Sequence, residues 1–469
     1  VIRTAPVLHP LLVCPRCRGP LQAPPEDQWR SPGARIACLD CGRRYPLVAG
    51  IPCLLSDPHA EIDEWCFRTD DFTRDNAGAR DKLLAQLVGG GDVRPKTRAR
   101  AQLLRERLED HRDRLLALAK AGGIEPRKRA TADRERVPGE STLTAYYHQV
   151  HRDWGWGAEA EFDEVELAVA AIEAVLPADH ALGDVLVLGA GACRVPWELH
   201  RRRRPDSTLA LDLNPLPYIV VRKLLDGETL SLLEFPIRPR STDTAVVDRT
   251  MRLEADPADR ADRFFLTLAD GLDAPVVEHR FDTVITPWFI DQIPKDLAEI
   301  FAALKAVLKP GGTWINHGPL IYHPAHTAFL HRYCVDEVLD LAEAAGFAIE
   351  QHTFERMPYM VSPAGSQGRT EMVLTLRATV AQVSESAESA EAESPAWLTD
   401  PTVPIPRVDG LESYRPPHPM FAAIVAAIDG SRTAADIGKL LSERHGVPAQ
   451  TATEGVLAAL GEIRRSLSK

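Results

Sequence analysis

Between Asp184 and about Arg377, short apolar runs alternate with segments of helical periodicity. Val185-Leu186-Val187-Leu188 is apolar throughout, as expected for a strand buried on both faces. Leu209-Ala210-Leu211, Phe264 to Leu268, Thr283 to Thr286 and Thr313 to Asn316 read as further strands. A helix between the last two ends at the stop Lys309-Pro310-Gly311-Gly312, so this pair predicts a parallel crossover unit. The whole stretch predicts an α/β fold with a doubly wound sheet. Upstream, Leu83, Leu84 and Leu87, then Leu103, Leu104 and Leu108, then Leu115, Leu116 and Leu118 recur at helical spacing over 58–136. Further helices are predicted from Ser141 or Thr142, an N-cap, and over Asp163 to Leu176. Past residue 380 the pattern changes. Val383 to Glu393 is acidic and low in complexity, and prolines follow it, as in an extended linker. After it, Thr433 caps a helix carrying Ile437, Leu440 and Leu441. The reading gives five parts: 1–57, a compact cysteine-bearing unit; 58–140, helical; 141–380, the α/β domain; 381–413, a disordered or extended linker; and 414–469, a small helical domain.

Composition narrows the class. The 469 residues are 45% hydrophobic and 26% charged, values typical of soluble globular chains. A net charge of -12 argues against a nucleic-acid binder, although Arg94 to Arg136 and Arg201 to Arg204 are locally basic. The acids Glu106, Glu109, Asp110 and Asp113 interleave with those arginines, as on a solvated helix face. No run of 18 apolar residues predicts a membrane span, and the first residues lack the pattern of a signal peptide. The eight cysteines are too sparse for a disulfide scaffold, which leads to the expectation of a cytoplasmic protein.

Four of those cysteines are not scattered. Cys14-Pro15-Arg16-Cys17 and Cys38-Leu39-Asp40-Cys41 are two C-x-x-C turns separated by 20 residues. Two such turns predict a closed tetrahedral site for structural Zn2+, with Cys14, Cys17, Cys38 and Cys41 as ligands and no open position for catalysis. Arg44 to Pro52 reads as a hairpin closing this ribbon.

Cofactor chemistry is written after the first strand. Gly189-Ala190-Gly191 forms a turn where backbone can approach a ligand closely, and Asp212 ends the second strand, placed to bind a ribose. These predict an adenosine cofactor, NAD or S-adenosyl-L-methionine (SAM). Arg194 stands where a dinucleotide fingerprint needs its third glycine, and Ala269-Asp270-Gly271 follows a strand where an adenine amino group would lie, so SAM is favoured. Asp291 and the pair Tyr322-His323 sit just past strand ends and are predicted to face one cleft.

Several of these pieces occur together, in order, in one known family. Gln149 with Arg152-Asp153-Trp154, Gly189-Ala190-Gly191 with Arg194, Asp212, Asp270, Phe289-Ile290-Asp291, Lys309-Pro310-Gly311-Gly312 and Gly318 to His323 resemble the carnosine N-methyltransferase family over about 141–378. The resemblance implies a Rossmann-like class I methyltransferase that methylates a histidine imidazole nitrogen in a small peptide. It implies cofactor contacts from Gln149, Arg152, Gly189, Gly191, Asp212, Asp270, Gly271 and Pro287. It implies Asp291 and His323 as catalytic residues, with Tyr322 and Tyr359 beside the acceptor. This chain departs from the family at Cys193, where the family has glycine. It departs again at Ser366 to Thr370, where the family carries tyrosines, so a peptide or another imidazole- or amine-bearing metabolite stays open as acceptor. The cysteine unit resembles the zinc-ribbon subunit that activates several tRNA and protein methyltransferases. Residues 414–469 resemble the helical part of winged-helix domains that bind leader peptides, which implies a peptide or protein partner; a structural cap is the alternative. An RNA methyltransferase, using the ribbon and the arginines, is the second function class, and a silent SAM-binding scaffold the third.

Overall fold

The computed structural model describes residues 8–29, 31, 33–89, 93–129, 144, 147–253, 256, 259–381, 395–407, 419–445 and 448–467. The cap read at Ser141 or Thr142 and the acidic stretch 383–393 lie outside them. The chain forms two compact units, Val1–Gln382 and Val383–Lys469.

The first unit opens with a four-stranded ribbon, β1 (Leu21–Gln22), β2 (Arg35–Cys38), β3 (Arg44–Val48) and β4 (Ile51–Pro52), paired in that order. Ala49 and Gly50 both take positive φ between β3 and β4, the two-residue turn whose twist matches antiparallel strands. Helices α1 (Pro58–Gly89) and α2 (Pro95–Ala121) follow and pack together. The expected helical stretch to 136 therefore ends early. Gly122 caps α2 and Gly123 has φ +75°, and residues 124–129 are not helical. The leucine periodicity also overstates the core: Leu115 and Leu118 are buried, but Leu84 is 45% exposed.

A seven-stranded sheet forms the centre, in the order β12 (Phe347–Tyr359), β13 (Arg369–Val380), β11 (Leu308–Pro319), β10 (Phe281–Pro287), β5 (Asp184–Leu188), β6 (Ser207–Asp212), β9 (Phe264–Leu268). The five strands from β11 to β9 are parallel; β13 and β12 run antiparallel. The remaining strands, β7 (Leu230–Glu234) and β8 (Val247–Met251), form a separate hairpin. From β5 the chain builds outward to β6 and β9, then returns to build β10 and β11 on the other side. That reversal opens a crevice beyond the carboxyl ends of β5 and β10, where doubly wound sheets bind ligands. Leu186 to Leu188 and Val284 and Ile285 are fully or nearly fully buried, which explains their unbroken apolar runs. Lys309 to Gly312, expected as a turn, is continuous with β11. The ribbon prolongs the sheet at its β9 edge: Cys53 bridges Leu268, and the Leu54 N–H donates to the Leu268 carbonyl at 2.8 Å.

Trp314 anchors the β11 side of the core. It is fully buried, lies 5.2 Å from the Phe301 ring and 5.3 Å from the Phe347 ring, and donates from Nε1 to Thr286 Oγ1. Trp314→Ala leaves a cavity and removes this hydrogen bond, and is expected to cost about 3–5 kcal/mol. Scanning calorimetry of the full chain checks this; an unchanged unfolding midpoint would refute it.

The second unit is helical over its described residues: Pro419–Ala427, Ala434–His445 and Ala449–Leu467, preceded by the short helix Ala396–Thr399. Thr433 and Asp436 form the cap of Ala434–His445 reciprocally, at 3.0 and 3.1 Å. Part of the expected linker folds here. Ile405 is fully buried in a cluster with Ile424, Ile437 and Leu460, because an isolated Ile among prolines gains more by joining that core than by staying solvated. Among the described residues no helix is long and apolar enough to cross a membrane.

Candidate active site

A cavity of about 630 Å3 opens at the carboxyl ends of β5, β6, β9, β10 and β11. Gln149, Arg152, Gly189, Gly191, Asp212, Asp270, Gly271, Pro287, Asp291, Tyr322, His323 and Tyr359 all line it. These positions are spread over 211 residues of sequence, from 149 to 359 inclusive, and the strand order gathers them.

The β5–β6 end is shaped by backbone. Gly189 has φ +70°, and a Cβ there would lie 2.6 Å from Phe289 Cδ2, so only glycine fits. The Gly191 N–H donates to Asp212 Oδ2 at 2.8 Å, and the Asn214 N–H donates to Oδ1 at 2.9 Å. Burial pushes the Asp212 carboxyl up, against those two donors. Asn214, not Asp212, caps the following helix (α6, Pro215–Leu225). Asp270 is exposed and turns its own loop by accepting from the Leu272 N–H at 2.9 Å. Arg152 is committed to Asp153 Oδ1 through two nitrogens, each at 2.7 Å, and its guanidinium lies over the Trp288 ring. Cys193 takes φ +61° and is fully buried, so this turn carries a side chain where glycine would be unstrained.

Asp291 dominates the β10–β11 end. It is 1% exposed, and Oδ2 accepts from the Ile321 N–H and from Gln292 Nε2, both at 3.0 Å. Oδ1 has no hydrogen-bond partner among the described residues. Burial pushes its carboxyl up to about 6. It is not a helix cap: Asp296 does that work for α7 (Leu297–Val307), accepting from the Ala298 N–H. His323 is exposed at the cavity edge, accepts the Ala325 N–H at Nδ1, and stacks on His326 at 4.4 Å. His326 is exposed as well. His317 is fully buried, joined to Thr375 Oγ1 at 2.8 Å, and pushed by burial down to about 3.

Sequence reasoning left several lining side chains unassigned, among them Arg369, Glu371, Trp65 and Arg68. Arg369 lies over the Tyr359 ring at 4.5 Å and pairs with Glu371 at 2.7 Å. Trp65 and Arg68 reach the cavity from α1. The helical spacing of α1 was visible, but nothing in it set these two residues apart.

The four expected metal ligands lie in the ribbon, at another place. Sγ of Cys14, Cys17, Cys38 and Cys41 all fall within 4.8 Å of one another, with Cys14–Cys41 at 3.7 Å and Cys17–Cys38 at 3.4 Å. A tetrahedron with Zn–S bonds of about 2.3 Å has edges of roughly 3.8 Å, so this donor set fits zinc. The scattered cysteines Cys53, Cys66 and Cys193 are buried, and Cys334 is exposed.

Residues 139–367 match the family model for carnosine N-methyltransferase. This segment resembles the carnosine N-methyltransferase family. A carnosine N-methyltransferase of Dictyostelium discoideum is 35% identical over 119 residues, which are 23% of this chain and 26% of that protein. One from Drosophila melanogaster is 27% identical over 104 residues, 22% of this chain and 23% of its own. The chain thus spans about a quarter of the length of these relatives. Among solved structures, a phosphoethanolamine N-methyltransferase of Haemonchus contortus overlaps 48% of this chain and 45% of its own at 15% identity and TM-score 0.31. The 1,6-didemethyltoxoflavin-N1-methyltransferase of Burkholderia thailandensis overlaps 48% and 81% at 18% identity and TM-score 0.30. The carnosine N-methyltransferase match begins after α2, so the ribbon and the α1–α2 pair stand outside it.

Proposed function

We propose that the protein is a SAM-dependent N-methyltransferase acting on an imidazole, histidine-type nitrogen of a small molecule or peptide, with Cys14, Cys17, Cys38 and Cys41 holding structural Zn2+. The observation that carries it is Asp291, a buried carboxylate with one unpartnered oxygen, lining the same cavity as the Gly189–Gly191 turn. SAM, when bound, supplies an electrophilic methyl group that a nitrogen lone pair takes by in-line displacement.

The residues suit that cofactor. The glycine turn leaves room that a side chain would fill, and Asp212 and Asp270 offer acceptors for ribose hydroxyls and an adenine amino group. Gln149, Arg152, Gly271 and Pro287 complete that end. Neutral imidazole has a lone pair on one nitrogen and a proton on the other. Asp291 Oδ1 takes the N–H, which fixes the reactive tautomer and stabilises the imidazolium as it forms. The proton can then leave through the carboxylate. Tyr322, His323 and Tyr359 form the acceptor's walls, His323 donating an orienting hydrogen bond.

Little favours the RNA reading. Arg114 pairs with Asp110 and Asp248, Arg112 with Glu109 and Asp113, and Arg201 and Arg202 with Glu198, so these arginines are committed inside the protein. The described residues of the second unit form a helical core around Ile424, Ile437 and Leu460.

The test uses the full chain, methyl-labelled SAM and a fractionated extract of the host. Label in small molecules or short peptides is the expected result, and fragmentation then locates the methyl. Label in RNA would overturn the acceptor class. Absence of label from a chain that binds S-adenosylhomocysteine would overturn the enzyme reading.

A further inference from the structure

The cofactor cavity is not built from the family segment alone. Trp65 and Arg68 lie three residues apart on one face of α1, some 70 residues before that segment begins, and both line the cavity. Trp65 is 7% exposed and belongs to the same buried cluster as Ala190, Ala192 and Val195, which flank the glycine turn. Phe289 and Ile290, beside Asp291, belong to the cluster on the other side of the sheet. The α1 residues therefore line the same cavity as the glycine turn.

A methionine-derived cofactor has three branches at its sulfur. In the proposed function, on which this inference rests, the nucleoside goes to Asp212 and Asp270 and the methyl faces Asp291. The third branch carries a carboxylate, which needs a cation when it leaves water. The cavity has three guanidinium groups. Arg152 is held by Asp153 through two nitrogens, and Arg369 is paired to Glu371 at the acceptor end. Arg68 differs. It lies over the Trp65 ring at 4.8 Å and donates from Nε to Glu64 at 3.0 Å, while its terminal nitrogens make no hydrogen bond among the described residues. Glu64 is itself fixed by Arg129 at 2.8 Å. The guanidinium is thus oriented from behind with its fork open.

We propose that Arg68 of the appended helix binds the carboxylate of the cofactor's amino-acid branch, with Trp65 as the wall it slides along, so that the segment before the family domain completes the cofactor site.

Isothermal titration of the full chain tests this without any acceptor. The probes are S-adenosylhomocysteine, which has the carboxylate, and methylthioadenosine, which lacks it. A charge-assisted bidentate contact is worth about tenfold or more in affinity. Arg68→Ala is expected to weaken S-adenosylhomocysteine by roughly that factor and leave methylthioadenosine unchanged, and Arg68→Lys to recover part of the loss. Equal binding of S-adenosylhomocysteine by wild type and Arg68→Ala would overturn the inference. So would a parallel loss for both probes, which is the mark of a merely structural role. A wild-type chain that binds neither probe would overturn the cofactor reading itself, and this inference with it.

Discussion

Asp291→Asn is expected to bind S-adenosylhomocysteine like the wild type and to lose about 10²–10³-fold of its methyl-transfer rate. The substitution keeps the shape and can still accept from the Ile321 N–H, but removes the charge that would stabilise an imidazolium. Its effect on stability should run the other way. Burial raises the Asp291 carboxyl from an ordinary 3.8 to about 6 in the folded chain. Between those values the folded state holds the proton more tightly than the unfolded state. This residue's contribution is therefore most favourable below about pH 4 and declines as pH rises through about 6. At neutral pH the buried charge costs up to roughly 3 kcal/mol, which an uncharged amide avoids. The variant should thus melt no lower than the wild type at pH 7.5, and any advantage should shrink toward pH 5. In the wild type, turnover should fall on the acid side of about 6. An acceptor imidazole titrates near there too, so the rate profile alone is ambiguous and the melting profile carries the assignment. Full turnover in Asp291→Asn would remove the residue from the chemistry. Lost turnover with a much lower melting point would make it a structural acceptor instead.

Much of this site was legible because its residues are tied to sheet ends. Strands buried on both faces announce themselves as unbroken apolar runs, and the polar residue after each run must then lie at the crevice. Val185 to Leu188 gave Gly189, Leu209 to Leu211 gave Asp212, and Thr283 to Thr286 gave the turn to Asp291. What stayed hidden depends on contacts that periodicity does not encode. Tyr359 is opposite Arg369 across β12 and β13, and that register places the guanidinium over the ring. A slip of one residue would turn Arg369 and Glu371 to the other face. Trp65 and Arg68 sit on a 32-residue helix of mixed composition, and only tertiary packing picks out their face. The overlong reading of α2 had a different cause. Arginines continue past Ala121, but Gly122-Gly123 ends the helix, and backbone freedom there outweighs side-chain propensity.

Removing the proposed zinc should reach the cofactor site, because the ribbon grips the loop that carries Asp270 and Gly271 at both ends. Before it, the Leu54 N–H donates to the Leu268 carbonyl at 2.8 Å. After it, the Val13 N–H donates to the Pro275 carbonyl at 2.8 Å, the Val277 N–H to the Leu11 carbonyl at 2.9 Å, and Arg18 Nη1 to the Ala274 carbonyl at 2.6 Å. Arg18 also pairs with Asp273. Leu11, Val13 and Arg18 are the residues around the Cys14–Cys17 turn, so their positions depend on what holds those sulfurs together. Structural zinc sites supply about 10–16 kcal/mol in small domains, far more than a four-stranded ribbon with strands of two to five residues can replace. A chelator, or Cys14→Ser with Cys17→Ser, is therefore expected to abolish hydrogen-exchange protection over 11–55 and 268–277. Protection in β10, β11 and β13, which lie on the far side of β5 and β6 from this edge, should persist. S-adenosylhomocysteine affinity should fall at least about tenfold with the loop, since a contact residue on an unpinned segment must be ordered at each binding event. Added Zn2+ should restore both. Stoichiometric metal analysis comes first: a full chain purified without zinc, yet binding cofactor normally, would separate the ribbon from the site. So would chelation that melts the ribbon while leaving exchange over 268–277 unchanged, because β9 would then be shown to hold its loop without help from the edge it shares.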